Sequence, residues 1–103
     1  MKNKTENTVV INLMDCVSGT TTSFEGVALF LKIDKAFKEN CPVQISLIDA
    51  TPMSSSFLNA TFGELFDIYG YKKISECITL INYKASQAKQ IKDYLESVKG
   101  LVK

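Results

Sequence analysis

Short apolar segments alternate with longer amphipathic segments along this chain, and this alternation is its most restrictive feature. The short segments are rich in β-branched residues, which is typical of strands, and they cover residues 8–14, 43–48 and 78–81. The longer segments have helical periodicity, and they cover residues 22–40, 54–70 and 86–99. A repeated strand–helix order predicts parallel strands joined by right-handed helical crossovers.

Local signals mark the ends of the predicted helices. Thr22 is followed three residues later by Glu25, the spacing of a capping box, so the first helix should begin there. Gly70 and Gly100 stand where the second and third helices are expected to stop, and Gly70 should be a left-handed residue just past its helix end.

The second strand should be the most buried one. Residues 43–48 are almost continuously apolar, a pattern that indicates burial on both faces of a sheet. Residues 16–20 could add a short extra strand. The predicted fold is therefore α/β, with a mixed or parallel sheet of about four strands and three helices.

Length and composition fit a single domain. The chain has 103 residues and a formal net charge of +1, so we expect one domain over residues 1–103 with a polar, flexible start at residues 1–7. Twelve basic residues against eleven acidic ones give no electrostatic support for binding nucleic acid. No apolar run approaches the roughly 18 residues that cross a membrane. Cys16, Cys41 and Cys77 are odd in number and far apart, which favours reduced thiols in a cytoplasmic protein.

Side chains suited to catalysis are scarce. The chain has no histidine, hence no general base with an ordinary pKa near neutrality, and its cysteines lack metal-ligand spacing. Asp15 and Asp49 each follow a predicted strand and could hold Mg²⁺ and accept a phosphoryl group, as in response-regulator receivers. Receivers, however, place two acidic residues after the first strand, and here there is one. The sequence predicts a protein that is not an enzyme and has no cofactor or metal.

Three loops should meet at one edge of the sheet, here called the rim. They follow the three predicted strands, at residues 18–23, 50–56 and 82–86, and ligands of open α/β sheets bind at that edge. Free N–H groups at the helix starts favour an anion there. The candidate ligand residues are Thr20, Thr21, Ser23, Asp49 and Lys84. The alternative is that serine and threonine gather there only because helix N-caps select them.

Two of the predicted helices carry more apolar surface than a one-sided covering helix needs. Val27 and Leu31 point away from the core face of the first helix, and apolar residues spread over about half the circumference of the second. Either neighbouring helices cover these positions, or they form a patch for a partner or a second copy. Asn59 is a poor helix former, so it should face the rim or a partner rather than the core.

The segment after the second strand resembles a known family. Asp49 ends the strand, and Met53, the serines at 54–56 and Phe57 open the next helix. This order is similar to the STAS domain of bacterial anti-anti-sigma factors, in which Met-Asp-Ser-Ser-Gly opens that helix. Ser54 here replaces the aspartate, and Phe57 replaces the glycine. In this register Ser55 matches the serine that those proteins phosphorylate.

A closer resemblance is to small bacterial proteins called STAS-like, whose function is unassigned. It rests on Ser55–Ser56–Phe57–Leu58–Asn59–Ala60, on Gly63 and Leu65, and on Ser23–Phe24–Glu25–Gly26. The resemblance spans roughly residues 8–95 and implies a small STAS-like fold.

The resemblance also implies a function, a non-enzymatic regulatory module that docks a protein and is switched by serine phosphorylation. Ser55 is the first candidate for modification, with Ser54 and Ser56 beside it. The docking residues would be Phe57, Asn59, Val27 and Leu31. The implied partner is an anti-sigma-like protein or a GHKL-type kinase. The alternatives are a small anion- or nucleotide-binding sensor that uses the rim, and an obligate homo-oligomer that uses Val27, Leu31 and the flank of the second helix.

Overall fold

The sheet is parallel and has β2 at its centre. The computed structural model describes residues 7–101, and within them three strands lie in the order β1–β2–β3. The strands are β1 (Val9–Asn12), β2 (Val43–Ser46) and β3 (Ile78–Ile81). In the register of the sheet, Val9 pairs with Val43, and Val43 pairs with Ile78. The predicted flexible start lies, apart from Asn7, outside the described residues.

The helices follow the strands and include one long, composite helix. They are α1 (Leu13–Cys16), α2 (Ser23–Lys38), α3 (Ser55–Leu58), α4 (Glu64–Tyr69), α5 (Tyr71–Cys77) and α6 (Ala85–Leu101). A π-helical segment, Asn59–Gly63, joins α3 to α4 without leaving helical backbone geometry. We call the run from Ser55 to Tyr69 the central helix.

The expected α/β class is confirmed, but the expected number of elements is not. The described residues contain three strands rather than about four, because the chain after β1 closes a helical turn in which the Val17 N–H donates to the Leu13 carbonyl at 3.1 Å. Residues 16–20 accordingly form no strand. There are also more than three helices, since α1 and α5 were not expected.

The two glycines expected to stop helices have different outcomes. Gly70 does end the central helix and has a positive φ of 87°, as predicted, but its ψ of 162° lies outside the left-handed helical region, and α5 begins at the next residue. Only glycine adopts this combination readily. Gly100 lies inside α6 and does not end it.

The strand order places the described crossover helices on one face of the sheet. Right-handed crossovers between strands in the order β1–β2–β3 place every crossover helix on the same side. The core accordingly draws on one set of alternating strand positions, including Ile11, Val43 and Ile45, together with side chains of α2, the central helix, α5 and α6. On the other face Val10 is 60% exposed. The expectation that β2 is the most buried strand is confirmed: Val43 and Ile45 are buried on the helix-covered face, and on the other face Gln44 is half-buried and Ser46 is buried. Ile48, which was expected to continue this strand, lies beyond its end and is exposed.

The first long helix and the central helix pack backbone to backbone. The capping box that begins α2 is present, because the Thr22 hydroxyl accepts from the Glu25 N–H and the Glu25 carboxylate accepts from the Thr22 N–H. One residue later, a side chain at Gly26 would lie 2.5 Å from the Phe57 carbonyl oxygen. The Thr61 hydroxyl donates to the Gly26 carbonyl at 2.6 Å, which ties the two helices together.

The three cysteines are free and partly buried. Burial raises the pKa of the Cys16 thiol, although Lys32 nearby opposes the shift. The Cys16 thiol is therefore mainly protonated near neutral pH and acts as a packing residue.

Candidate functional site

The three loops of the rim lie together in the structure, and hydrogen bonds connect them. The Thr20 hydroxyl lies 2.6 Å from the Thr51 hydroxyl, 3.0 Å from the Thr51 carbonyl and 2.9 Å from the Pro52 carbonyl. Thr20 is completely buried. The prediction that Thr20 is a ligand residue is wrong in this conformation, because its hydroxyl joins the first loop to the second and is closed to solvent.

Two glutamines of α6 fix the second loop from the other side. The Gln87 side chain donates to the Ala50 carbonyl at 3.0 Å. The Gln90 side chain donates to the Met53 carbonyl and accepts from the Met53 N–H at 3.2 Å. Sequence reasoning missed both residues. A signal existed, since Gln87 lies four residues before Ile91 and so falls on the buried stripe of the helix.

The three serines have different roles, which the structure separates. Ser54 is the N-cap of the central helix: its hydroxyl accepts from the Phe57 N–H at 3.1 Å and donates to the Thr21 carbonyl at 2.7 Å. The Ser54 N–H donates to the Thr20 carbonyl at 3.0 Å. Ser55 and Ser56 are exposed, and their hydroxyls have no hydrogen-bond partner in the described part of the chain. Capping therefore uses one serine and leaves two accessible.

This division predicts different effects for neighbouring alanine substitutions. Ser54→Ala should lower the free energy of unfolding by about 1–2 kcal/mol, because it removes a helix cap and a bond to the first loop. Ser55→Ala is the matched control and should stay within about 0.5 kcal/mol of the native chain. Urea unfolding followed by circular dichroism measures both. Equal losses in the two variants would contradict this assignment of the cap.

Phe57 and Asn59 lie on opposite sides of the central helix. Phe57 is fully buried in the core, so the prediction that it contacts a partner is wrong; the inward face of the helix, rather than the rim, takes its ring. Asn59 is exposed, as expected, and its side-chain oxygen accepts from the Tyr94 hydroxyl at 2.5 Å. Burial raises the pKa of Tyr94, which keeps this hydroxyl a donor.

The charges around the rim are uneven. Burial alone would raise the pKa of the Glu25 carboxyl, but hydrogen bonds from Thr22, Thr21 and Ser18 outweigh it and lower that pKa. The resulting carboxylate occupies the N-terminal end of α2 and disfavours an anion beside Thr21 and Ser23, both of which are exposed.

The opposite end of the rim is more favourable to an anion. An open hollow of about 370 Å³ there is lined by Ala50, Pro52, Lys84, Ser86, Gln87 and Gln90. Lys84 is exposed, and its N–H donates to the Gln87 side chain at 2.7 Å. Asp49 is exposed in a turn with φ of 61°. The structure thus separates the predicted ligand residues instead of bringing all five to one point.

An apolar stripe runs along the outer side of α2. Phe24 is 87% exposed, Leu31 57% and Val27 44%, at a spacing that places all three on one flank of the helix. Neighbouring helices do not cover Val27 and Leu31. Sequence reasoning missed Phe24, although its spacing of three and seven residues from the other two was visible.

Comparison with known proteins agrees with this architecture. Residues 25–88 match the model of the family described as STAS-like domain of unknown function (DUF4325). This chain belongs to the STAS-like family. The matched region of the STAS-like domain runs from the first turn of α2 into α6, and so includes the serine run and, of the apolar stripe, Val27 and Leu31 but not Phe24. No curated protein and no solved structure matched the chain.

Two further findings describe the molecule between residues 7 and 101. None of its helices combines the length and apolarity that a membrane crossing requires. In the same residues, His, Cys, Asp and Glu side chains form no group of three or more that could hold a metal ion.

Proposed function

We propose that this STAS-like domain is a non-enzymatic, cytoplasmic regulatory module of the anti-anti-sigma type. It docks a protein partner through the surface around Ser55, and phosphorylation of Ser55 releases that partner. One observation carries the proposal. Ser55 presents an unengaged hydroxyl at the start of the central helix, while its neighbour Ser54 does the capping.

The surroundings of Ser55 suit a switch that changes the surface without unfolding the domain. Hydrogen bonds hold the segment just before it: the Ser54 N–H donates to the Thr20 carbonyl, the Ser54 hydroxyl donates to the Thr21 carbonyl, and the Met53 N–H donates to the Gln90 side chain. A phosphate on Ser55 would sit at a helix N-terminus, where the helix dipole favours negative charge. We therefore expect phosphorylation to leave the fold intact and to act on docking alone.

Ser54 and Ser56 are less suitable sites of phosphorylation than Ser55, for different reasons. Modifying Ser54 would remove the donor to the Thr21 carbonyl and disturb the cap of the central helix. Ser56 is exposed and is the remaining alternative. Asn59, one turn further along the same helix, extends the exposed surface that a partner would contact.

The partner proposed for this surface is an anti-sigma-like protein or a GHKL-type kinase. A kinase of that type, incubated with the domain and ATP, should phosphorylate Ser55, and mass spectrometry locates the modified residue. Ser55→Ala should abolish the modification, and Ser56→Ala should not. Phosphate found on a different residue in the native chain would refute the assignment.

The effect on docking is measured with the partner itself. By calorimetry, Ser55→Asp should weaken binding by roughly 1–3 kcal/mol, because it places an unpaired charge in the interface, and Ser55→Ala should bind like the native chain. Ser56→Asp adds the same charge one residue away and should have the smaller effect. Equal affinity of the native chain and these three variants for the partner would refute the phosphorylation switch.

The second candidate function is an anion or nucleotide sensor, favoured by the hollow beside Lys84. That hollow has a volume of about 370 Å³ and a single cation on its wall. ATP and inorganic phosphate, titrated separately into the domain, would give binding that Lys84→Ala reduces if this function is correct. Binding unaffected by Lys84→Ala would exclude this hollow as the sensor site.

A further inference from the structure

The outer edge of β1 is unpaired along its length in the described part of the chain. The Val9 N–H donates to the Pro42 carbonyl at 2.9 Å, so Val9 and Ile11 direct their backbone groups to β2. In a parallel ladder the N–H and C=O of Val10 and the N–H of Asn12 then point away from the sheet, whereas the Asn12 carbonyl belongs to the first turn of α1. β1 contains no charged residue and no proline, the usual protections of a free edge.

The apolar stripe of α2 lies next to this edge. A hollow of about 560 Å³ borders the stripe and includes Cys16, Val17 and Ala28 among its lining residues. A second hollow, of about 460 Å³, runs along β1 and also touches Cys16. The free edge and Phe24, Val27 and Leu31 thus form one continuous face, which we call the β1–α2 face.

We propose that the β1–α2 face binds a second copy of this chain, with the two β1 strands antiparallel across a twofold axis. All crossover helices lie on one side of the sheet, so extending the sheet through β1 places the two α2 helices side by side. A single twofold-symmetric contact would therefore bury both the free edge and the apolar stripe of each copy. A surface that meets itself in this way is the usual arrangement of a symmetric dimer.

Charge and size both favour a second copy as the occupant. Asp15 follows the C-terminal end of β1, whereas Lys35 lies towards its N-terminal end, because α2 runs back along the strand; both line the second hollow. Antiparallel pairing sets the acid of each copy against the base of the other. Four residues of strand alone bury far less than the roughly 800 Å² per partner of a stable interface. The apolar stripe supplies the additional surface.

The inference does not rest on the proposed regulatory function, and its test needs no other protein. Sedimentation velocity of the full chain should show a dimer at micromolar protein concentrations. Leu31→Lys should raise the dissociation constant at least about tenfold, since it puts a charge into the apolar contact. Ile68→Lys is the matched control: Ile68 is 55% exposed on the central helix and lines neither hollow, so the dimer should persist.

Hydrogen exchange gives an independent readout of the strand pairing. The amides of Val10 and Asn12 should be protected in the native dimer and exchange rapidly in Leu31→Lys, while the amide of Ile11 stays protected in both. Circular dichroism checks that Leu31→Lys is folded. A monomeric native chain, an unchanged dimer in Leu31→Lys, or rapid exchange at Val10 and Asn12 in the dimer would each overturn the proposal.

Discussion

Replacing Phe57 by alanine should lower the free energy of unfolding by about 3–5 kcal/mol, the largest single loss expected in this domain. Phe57 is one of the largest fully buried side chains, and the N–H of the same residue is bonded to the helix cap. Removal of the ring leaves a cavity that close-packed neighbours fill only in part. Urea unfolding at several temperatures measures the change.

The matched control is the same substitution at an exposed phenylalanine. Phe24 is 87% exposed, so Phe24→Ala should change the stability of the monomer by no more than about 0.5 kcal/mol. The comparison is made at protein concentrations low enough to keep the chain monomeric. A loss below about 1 kcal/mol in Phe57→Ala would contradict its core position and return it to the surface as a docking candidate.

Gly26→Ala should destabilise the domain by about 2 kcal/mol or more, against the usual trend for helices. In an unconstrained helix interior, alanine is favoured over glycine by about 1 kcal/mol. At Gly26 the added methyl would lie 2.5 Å from the Phe57 carbonyl oxygen and 2.8 Å from the Ala60 Cβ, so α2 and the central helix would have to separate.

Gly100→Ala provides the control with the opposite sign. Gly100 also lies in a helix, but nothing would be within 4 Å of an added methyl group. That variant should be neutral or gain up to about 1 kcal/mol. Both changes are measured as shifts in the urea midpoint with constant slope. A gain in Gly26→Ala would show that the two helices pack less closely than described.

The sequence alone determined the elements whose signals are local. Apolar runs located the three strands, and the spacing of Thr22 and Glu25 located the start of α2. The order of these elements predicted parallel neighbouring strands in a mixed or parallel sheet, and the apolarity of residues 43–48 predicted that they form its most buried strand. Asn59 was expected outside the core, and it is exposed. These features depend on backbone conformation and on hydrogen bonds between near neighbours, which a few residues specify.

Only the tertiary structure decided how the site is arranged. Three consecutive serines were suitable for a single N-cap position in the sequence. Ser54 takes that position, and its hydroxyl also contacts Thr21 in a loop some thirty residues earlier. From the sequence, Phe57 could lie either on the surface or in the core. The packing of α2 against the central helix buries it.

The strand order determined which sheet edge and which helix surface stay exposed. With β1 at an edge and all crossover helices on one side, no described residue pairs with the outer edge of β1 or covers the α2 stripe. Apolar periodicity reports how much of a helix could be buried, but not which neighbour is present to bury it. That neighbour is set by the path of the whole chain, because the groups that cover or expose a residue lie far from it in sequence.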